Sequence, residues 1–429
     1  MNAIFLAILG TAFAVAAVRQ MGGADSMASL STAMIEDAGG AVTLALGLVG
    51  VMALFLGVMK VAEAGGLLRV MARLLRPLLQ RLFPTVPPEH PAMGAMILNI
   101  AANVLGLGNA ATPFGIRAMQ HLERLNPVKG CASNAMVLFL VINTSSVTLL
   151  PTSVIALRAA AGSADPAGIL PTTLFATIVS TAIGITLAKT LQRWWPISAP
   201  DAPAAPGTQA EDATDTAGTD DAADAAAGHG YPAWASALAL LGVVLLVPAT
   251  IAWGDVVAAW IIPGLVVGLL AFGALRGVRV YEAFVEGARD GFTVAVRIIP
   301  YLLAILVAVG MFRASGALDL LIRPLGALTA PLGLPVEAVL MGLLRALSGS
   351  GAFAYLATVL NDPAIGPDSY TGYLVSTIQG STETTFYVLA VYFGAVGVRR
   401  MRHAVVVGLL ADVAGVAASA FICAVLHGP

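Results

Sequence analysis

Apolar runs of helix length recur along most of the 429-residue chain, near residues 2–18, 39–59, 131–157, 170–188, 233–252, 254–275, 292–312, 371–396 and 404–426. An α-helix rises about 1.5 Å per residue and the hydrocarbon layer is about 30 Å thick, so each run is near the length that crosses a bilayer. The expectation is an all-α polytopic membrane protein of about nine spans, with lipid as its solvent. Composition agrees, since 58% of residues are hydrophobic and 11% charged, where a soluble domain carries roughly a quarter charged. The opening NAIFLAILGTAFAVAAV ends in small residues that resemble a cleavage site but lacks a basic leader, so a retained first helix is expected.

Several function classes drop out early. The net charge is −2, with much of the acid in one stretch and the Lys and Arg at the ends of apolar runs, a layout that excludes a nucleic-acid partner. Cys131 and Cys423 lie in apolar surroundings and offer neither a disulfide framework nor a thiolate metal site. No HExxH, P-loop or GxSxG string occurs, so neither an enzyme nor a bound cofactor is expected.

Between Ser198 and Gly230 the composition turns to Ala, Pro, Gly, Thr and Asp without periodicity, which reads as a disordered acidic linker over 197–232. It separates two membrane halves, 1–196 and 233–429, that contain related segments. IEDAGGAVTLA from Ile35 aligns with VEGARDGFTVA from Val285, pairing Glu36 with Glu286 and Thr43 with Thr293. AGGLL at Ala64 then meets ASGAL at Ala314, and RPL at Arg76 meets RPL at Arg323. A Gly-rich interruption follows in each half, NVLGLGNAATPFG and LSGSGAFAY, and then a polar run, NTSSVTLLPTS and QGSTETT. The same order twice, over about 35–157 and 285–396, is the pattern of a transporter-type repeat.

Basic residues set the expected orientation. Lys60, Arg69, Arg73, Arg76 and Arg81 follow the second run, and Lys129, Lys189, Arg193, Arg276, Arg279, Arg399, Arg400 and Arg402 flank later ones. All fall inside if the N-terminus and the linker are cytoplasmic and the segments 84–127 and 335–360 are re-entrant hairpins. The two repeats are then inverted. LLRVMARLLRPLLQRLF is expected as an amphipathic helix lying in the cytoplasmic interface.

Non-helical backbone survives in hydrocarbon only where protein or a water-filled cavity covers it. Gly106, Leu107, Gly108, Asn109, Thr112 and Pro113 therefore suggest a broken hairpin tip, with Ser348, Gly349, Ser350 and Gly351 as its counterpart. The backbones of Gly106, Gly108, Gly349 and Gly351 are expected to be non-helical and to face each other near the midplane. Helix ends at such tips aim unpaired N–H or C=O groups at a solute, and the amides of Asn99, Asn103, Asn109 and Asn143 and the hydroxyls of Ser145 and Ser146 add to them. Close helix packing by small residues is the structural alternative.

The run Gln379, Ser381, Thr382, Glu383, Thr384 is harder to read as packing. An ionisable group at bilayer depth costs at least ~2.5 kcal/mol, so it pairs or faces a cavity. Arg345 and Arg297 are the candidate partners. A Glu383–Arg345 pair that holds the hairpin to the broken helix is the structural reading; a carboxylate facing a proton or cation beside solute ligands is the functional one. Asp412 is expected in a helix–helix contact and Arg158 as a snorkelling side chain.

The first half, in MILNIAANVLGLGNAATPFGIRAMQHLERLNP and FLVINTSSVTLLPTSVIALRA, resembles spore maturation protein A. The second, in RIIPYLLAILVAVGMFRASGALD, RALSGSGAFAY and STIQGSTETTFYVLAVYFGAVGVRR, resembles spore maturation protein B. Both families carry the nucleoside recognition, or Gate, domain, shared with the membrane part of the ferrous-iron transporter B family and with nucleoside transporters. The resemblance implies a fused chain of the bacterial plasma (inner) membrane with two Gate-type repeats, re-entrant hairpins and broken helices. The function it implies is a transporter or channel for a small polar solute, with or without a coupling proton or cation. The alternative is a non-transporting scaffold or assembly factor in envelope or spore maturation. Homo-oligomerisation stays open.

Overall fold

The computed structural model describes residues 2–23, 25–106, 108–196, 231–317, 329 and 333–428. Most of the expected acidic linker, Leu107 and Arg323 lie outside them. The described chain is helical, apart from an isolated bridge between Cys131 and Arg400. The first half comprises α1 (Asn2–Met21), α2 (Ser26–Ala64), α3 (Leu67–Leu82), α4 (Pro91–Val104), α5 (Gly108–Leu125), α6 (Asn134–Thr144), α7 (Thr152–Ala160) and α8 (Ile169–Leu191). The second comprises α9 (Ala233–Leu275), α10 (Val280–Ala314), α11 (Val336–Leu347), α12 (Gly349–Leu360), α13 (Tyr370–Ser381), α14 (Thr385–Gly394) and α15 (Ala404–His427).

The same succession appears in both halves. A long helix (α2, α10) leads to a hairpin of short helices (α4–α5, α11–α12), then to a helix broken in two (α6–α7, α13–α14), then to a long apolar helix (α8, α15). In the first hairpin the rings of His90, before α4, and His121, late in α5, lie 6.2 Å apart, so both arms return to one end. The 12-residue arms of α11 and α12 are only about 18 Å long at 1.5 Å per residue.

Equivalent helices are antiparallel neighbours. Near the C-terminal end of α2, Gly57 lies against Phe284 and Gly287 near the start of α10, and Lys60 pairs with Glu286 at 3.5 Å. At the other end Asp37 of α2 abuts Gly310 of α10. Between α8 and α15, the Ala188 carbonyl meets Nε2 of His403, just ahead of α15, at 3.2 Å, while Ser180 Oγ donates to the Ala411 carbonyl at 2.8 Å. Farther along, Thr172 and Cys423 both reach the Thr377 hydroxyl, at 2.7 and 3.4 Å.

The hydrophobic cores cross between the halves. One contains Leu75 and Leu79 of α3, Met96 and Leu98 of α4, Met119 of α5 and Phe139 of α6, together with Leu389 and Phe393 of α14. The other contains Met341 of α11, Leu356 of α12 and Leu374 and Ile378 of α13, together with Ile155 and Leu157 of α7. Each hairpin and first half-helix is thus completed by the second half-helix of the other repeat. Helix α3 has the expected amphipathic form, burying Leu68, Ala72, Leu75 and Leu79 and exposing Arg69, Arg73 and Arg81.

Among the described residues two helices, Ile169–Trp194 and Ala404–His427, are long and apolar enough by length and composition to cross a membrane. The runs 233–252 and 254–275 share one helical element, α9, whose two ends both lie near the junction of α2 and α3: the Tyr231 N–H donates to the Arg73 carbonyl at 3.2 Å, and Gly273 packs on Val61. A straight helix of that length would hold its ends about 63 Å apart, so the element turns back on itself, as two runs would. Two expectations need correction. Gly108, Gly349 and Gly351 are helical; the second hairpin breaks one residue earlier, at Ser348, with φ −155° and ψ 111°. Arg158 does not snorkel. It is fully buried, donates to Pro367 O at 2.6 Å and Asp165 O at 3.2 Å, pairs with Asp368 at 3.2 Å and lies over the Tyr373 ring at 4.2 Å. In the loop that follows, burial pushes the Asp165 carboxyl up from its ordinary value, with Arg158 opposing.

The antiparallel pairing is directly testable. A Lys60→Cys, Glu286→Cys double variant should cross-link with a short bis-maleimide, whereas Lys60→Cys with Arg313→Cys should not. Cross-linking of only the second pair, read as a gel shift, would mean that α2 and α10 run parallel.

Candidate functional site

The two broken helices begin alike. Ser133 Oγ accepts from Met136 N–H at 3.2 Å ahead of α6, and Ser369 Oγ accepts from Gly372 N–H at 3.0 Å ahead of α13. Such caps satisfy donors that the first turn leaves open. The helices fail where hydroxyls crowd the last turn. Thr144 Oγ1 and Ser145 Oγ both donate to the Val141 carbonyl, at 3.0 and 2.8 Å, and Ser381 Oγ donates to the Ile378 carbonyl at 2.9 Å. Side chains that bond back to the backbone compete with the helical ladder. Pro151 then brings no N–H, and Thr382 is fully extended, with φ −141° and ψ 162°.

The two breaks touch. The Glu383 N–H, released from any helix, donates to the Thr144 carbonyl at 2.7 Å. The hairpin tips lie beside them. The Leu149 N–H donates to the Val104 carbonyl at 2.9 Å, and Gly106, at φ +77°, is so close to the Leu150 carbonyl that a Cβ would overlap it. At the second tip the Ser348 hydroxyl accepts from the Gly351 N–H at 3.1 Å.

Two polar clusters flank this contact. In the first, Asn99 Nδ2 donates to the Ala111 carbonyl at 2.8 Å and to the Tyr392 hydroxyl at 3.1 Å. Tyr392 donates to Asn143 Oδ1 at 3.3 Å, Asn103 Nδ2 donates to the same oxygen at 2.8 Å, and Asn143 Nδ2 donates to the Phe139 carbonyl at 2.9 Å. Phe139 stacks on Tyr392, with centroids 6.0 Å apart. In the second cluster Arg345, buried in the last turn of α11, pairs with Glu383 at 3.2 Å and donates to Thr384 Oγ1 at 3.3 Å. The Glu383 side chain is 46% exposed. Next to it, Thr385 Oγ1 donates to Asp412 Oδ2 at 2.7 Å.

The structure therefore gathers Asn99, Asn103 and Asn143 in one network and Arg345, Glu383 and Thr384 in another. Ser145, Ser146, Gln379, Ser381 and Thr382 are buried around the breaks, and Gln379 Oε1 has no hydrogen-bond partner among the described residues. Ser348, Ser350 and Thr112 are partly exposed. The side chains of Asn109 and Arg297 lie outside the described residues. Sequence reasoning did not single out Tyr392 or Thr385. Tyr392 carries no local signal, but Thr385 closes the same polar run as Glu383 and was within reach. Asp412 does make the expected helix–helix contact.

The nucleoside recognition (Gate) family matches residues 45–161 and 295–399, and this chain belongs to that family. Both segments start within a long helix, α2 or α10, and end just past a broken one, so the match covers the elements that build the two breaks. Spore maturation protein B of Bacillus subtilis is 46% identical over 167 residues, 39% of this chain and 93% of that protein. Spore maturation protein A of the same organism is 44% identical over 155 residues, 36% of this chain and 79% of that protein. Each relative covers part of the chain, consistent with a fusion. No solved structure matches it.

Tyr392 ties α14 to α4 and α6 through one hydroxyl. Tyr392→Phe should destabilise the protein by about 1–2 kcal/mol, the cost of leaving buried amide groups short of a partner. A melting temperature unchanged from wild type would show that the network contributes nothing to holding α14.

Proposed function

We propose that the chain is a multi-pass inner-membrane protein that moves a small polar solute, as a transporter or channel and not as an enzyme, between two inverted Gate repeats. One observation carries the reading. Two helix breaks, one from each repeat, meet at the Glu383–Thr144 backbone contact, and a half-exposed carboxylate stands beside them. Breaks of this kind present helix N-termini that attract anionic groups and helix C-termini that attract cations. Here α7 and α14 supply the former, α6 and α13 the latter. Glu383, Gln379 and Ser350 are the side chains assigned to the solute, with a proton or cation as coupling partner.

The antiparallel pairing of α2 with α10 and of α8 with α15 supports inversion, because an axis in the membrane plane reverses equivalent helices. Arms of about 18 Å, too short to cross about 30 Å of hydrocarbon, support re-entry of 335–360, and the return of both arms of the first hairpin to one end supports re-entry of 84–127. With the basic residues inside, the linker is cytoplasmic. The tightly closed Asn99–Tyr392–Asn143–Asn103 network favours the second reading, a scaffold or assembly factor in envelope or spore maturation whose polar runs only lock helices together.

Two experiments separate these readings. Comparing metabolites of a deletion strain with strains complemented by wild type or Glu383→Gln should show a solute class restored by the first and not by the second. Purified Glu383→Gln should melt within about 2 °C of wild type, a change below ~1 kcal/mol for a chain of this size. A destabilised single variant rescued by Glu383→Gln with Arg345→Met would make the glutamate structural, since the second change removes the stranded charge. For topology, a cysteine replacing Gly207 should resist an impermeant thiol reagent in intact cells; labelling there would overturn the inverted arrangement.

A further inference from the structure

Asp412 sits in the middle of α15, 7% exposed. Its Oδ2 accepts the Thr385 hydroxyl at 2.7 Å, and its Oδ1 has no hydrogen-bond partner among the described residues. Helices α6, α8, α11, α13 and α14 pack against α15. Among the described residues, the charge that acts on Asp412 is that of Arg345 on α11. Glu337 opens α11 two turns from Arg345, α6 carries no titratable group, and on α8 only Lys189, near its far end, is charged. On α13 the titratable groups are Tyr370 and Tyr373, in its first turn, where Tyr373 stacks on His427 and not on the break. On α14 Tyr387 is exposed and Tyr392 turns its hydroxyl to Asn99 and Asn143.

Arg345 is already engaged by Glu383 and Thr384. Glu383 thus takes the guanidinium, and Asp412 has no ion-pair partner among the described residues. A buried carboxylate without such a partner is costly in its charged form, the more so at bilayer depth. The unpartnered Oδ1 is the free position for a proton.

We propose that Asp412 is the protein's proton-binding residue, taking a proton from water on Oδ1 and signalling its state through Thr385 to the break between α13 and α14. The inference rests on the transport reading and names its coupling ion. With the proton on Oδ1, Oδ2 becomes the carbonyl oxygen of a neutral acid, which still accepts from Thr385 but holds it less strongly than a carboxylate does. Thr385 is also the first residue of α14, directly after Glu383 and Thr384. A loosened bond at Asp412 therefore falls on the turn that positions the candidate solute ligands.

The test needs no solute. Infrared difference spectra of the purified full-length protein, titrated from about pH 5 to about pH 9 across the range of buried carboxyls, should show a deuterium-sensitive carbonyl band of a neutral acid that disappears as pH rises. The band should be absent in Asp412→Asn and retained in Glu383→Gln. Thr385→Val, which removes the donor to the charged form, should move its midpoint to higher pH and serves if Asp412→Asn fails to fold. No band in the wild type, a band that survives Asp412→Asn, or a midpoint indifferent to Thr385→Val would overturn the assignment. So would sodium raising the melting temperature of wild type, but not of Asp412→Asn, at fixed pH and ionic strength, because the site would then hold a metal cation. These readouts can fail while solute movement stands, and loss of solute movement in Glu383→Gln leaves them unchanged.

Discussion

A peptide N–H or C=O released from a helix inside an apolar interior must find a partner, because leaving it bare costs several kcal/mol. The contact between the Glu383 N–H and the Thr144 carbonyl is where this protein meets that demand across its two halves. It fixes how close the breaks approach. The hairpin tips follow, since the Leu149 N–H is answered by Val104 of the first hairpin and Thr384 is answered by Arg345 of the second. Glu383 and Thr384 are thus placed by backbone that has left its own helix.

The same demand accounts for the crossed cores. A half-helix of 9 to 12 residues is too short to be stable by itself, so it persists only by packing its apolar face on something fixed. For α14 that surface is α6 with its hairpin, and for α7 it is α13 together with α2. Arg158 secures the second junction through Pro367, Ser376 and Asp368, and Tyr392 secures the first through Asn99 and Asn143. One junction is charged and the other neutral, although they occupy equivalent places.

Local signals in the sequence foretold local structure. Hydroxyl-rich runs ending in Pro151 or passing through Thr382 mark where helices cannot continue, and alternating Arg and Leu mark α3. Arg345 was nominated for Glu383 because few charges stand in apolar runs, so each narrows the choice of the other. What escaped was set at a distance or by a single competing group. Ser348 took the second break from Gly349 because its hydroxyl can cap the next helix while glycine merely permits a turn. Tyr392 joined the Asn network from 293 positions away, with no pattern around it to mark it. The exchange of half-helices left no trace in periodicity, since α7 and α14 are apolar whichever partner they meet.

That exchange bears on why the halves share one chain. Two separate polypeptides built on these repeats would have to meet before either core could close, so their assembly would depend on the amount of each made. A tether converts that encounter into an intramolecular one, so that closure no longer depends on the concentration of a partner chain. Stoichiometry is then fixed at one to one by translation, and neither half is left with an open apolar groove awaiting its complement.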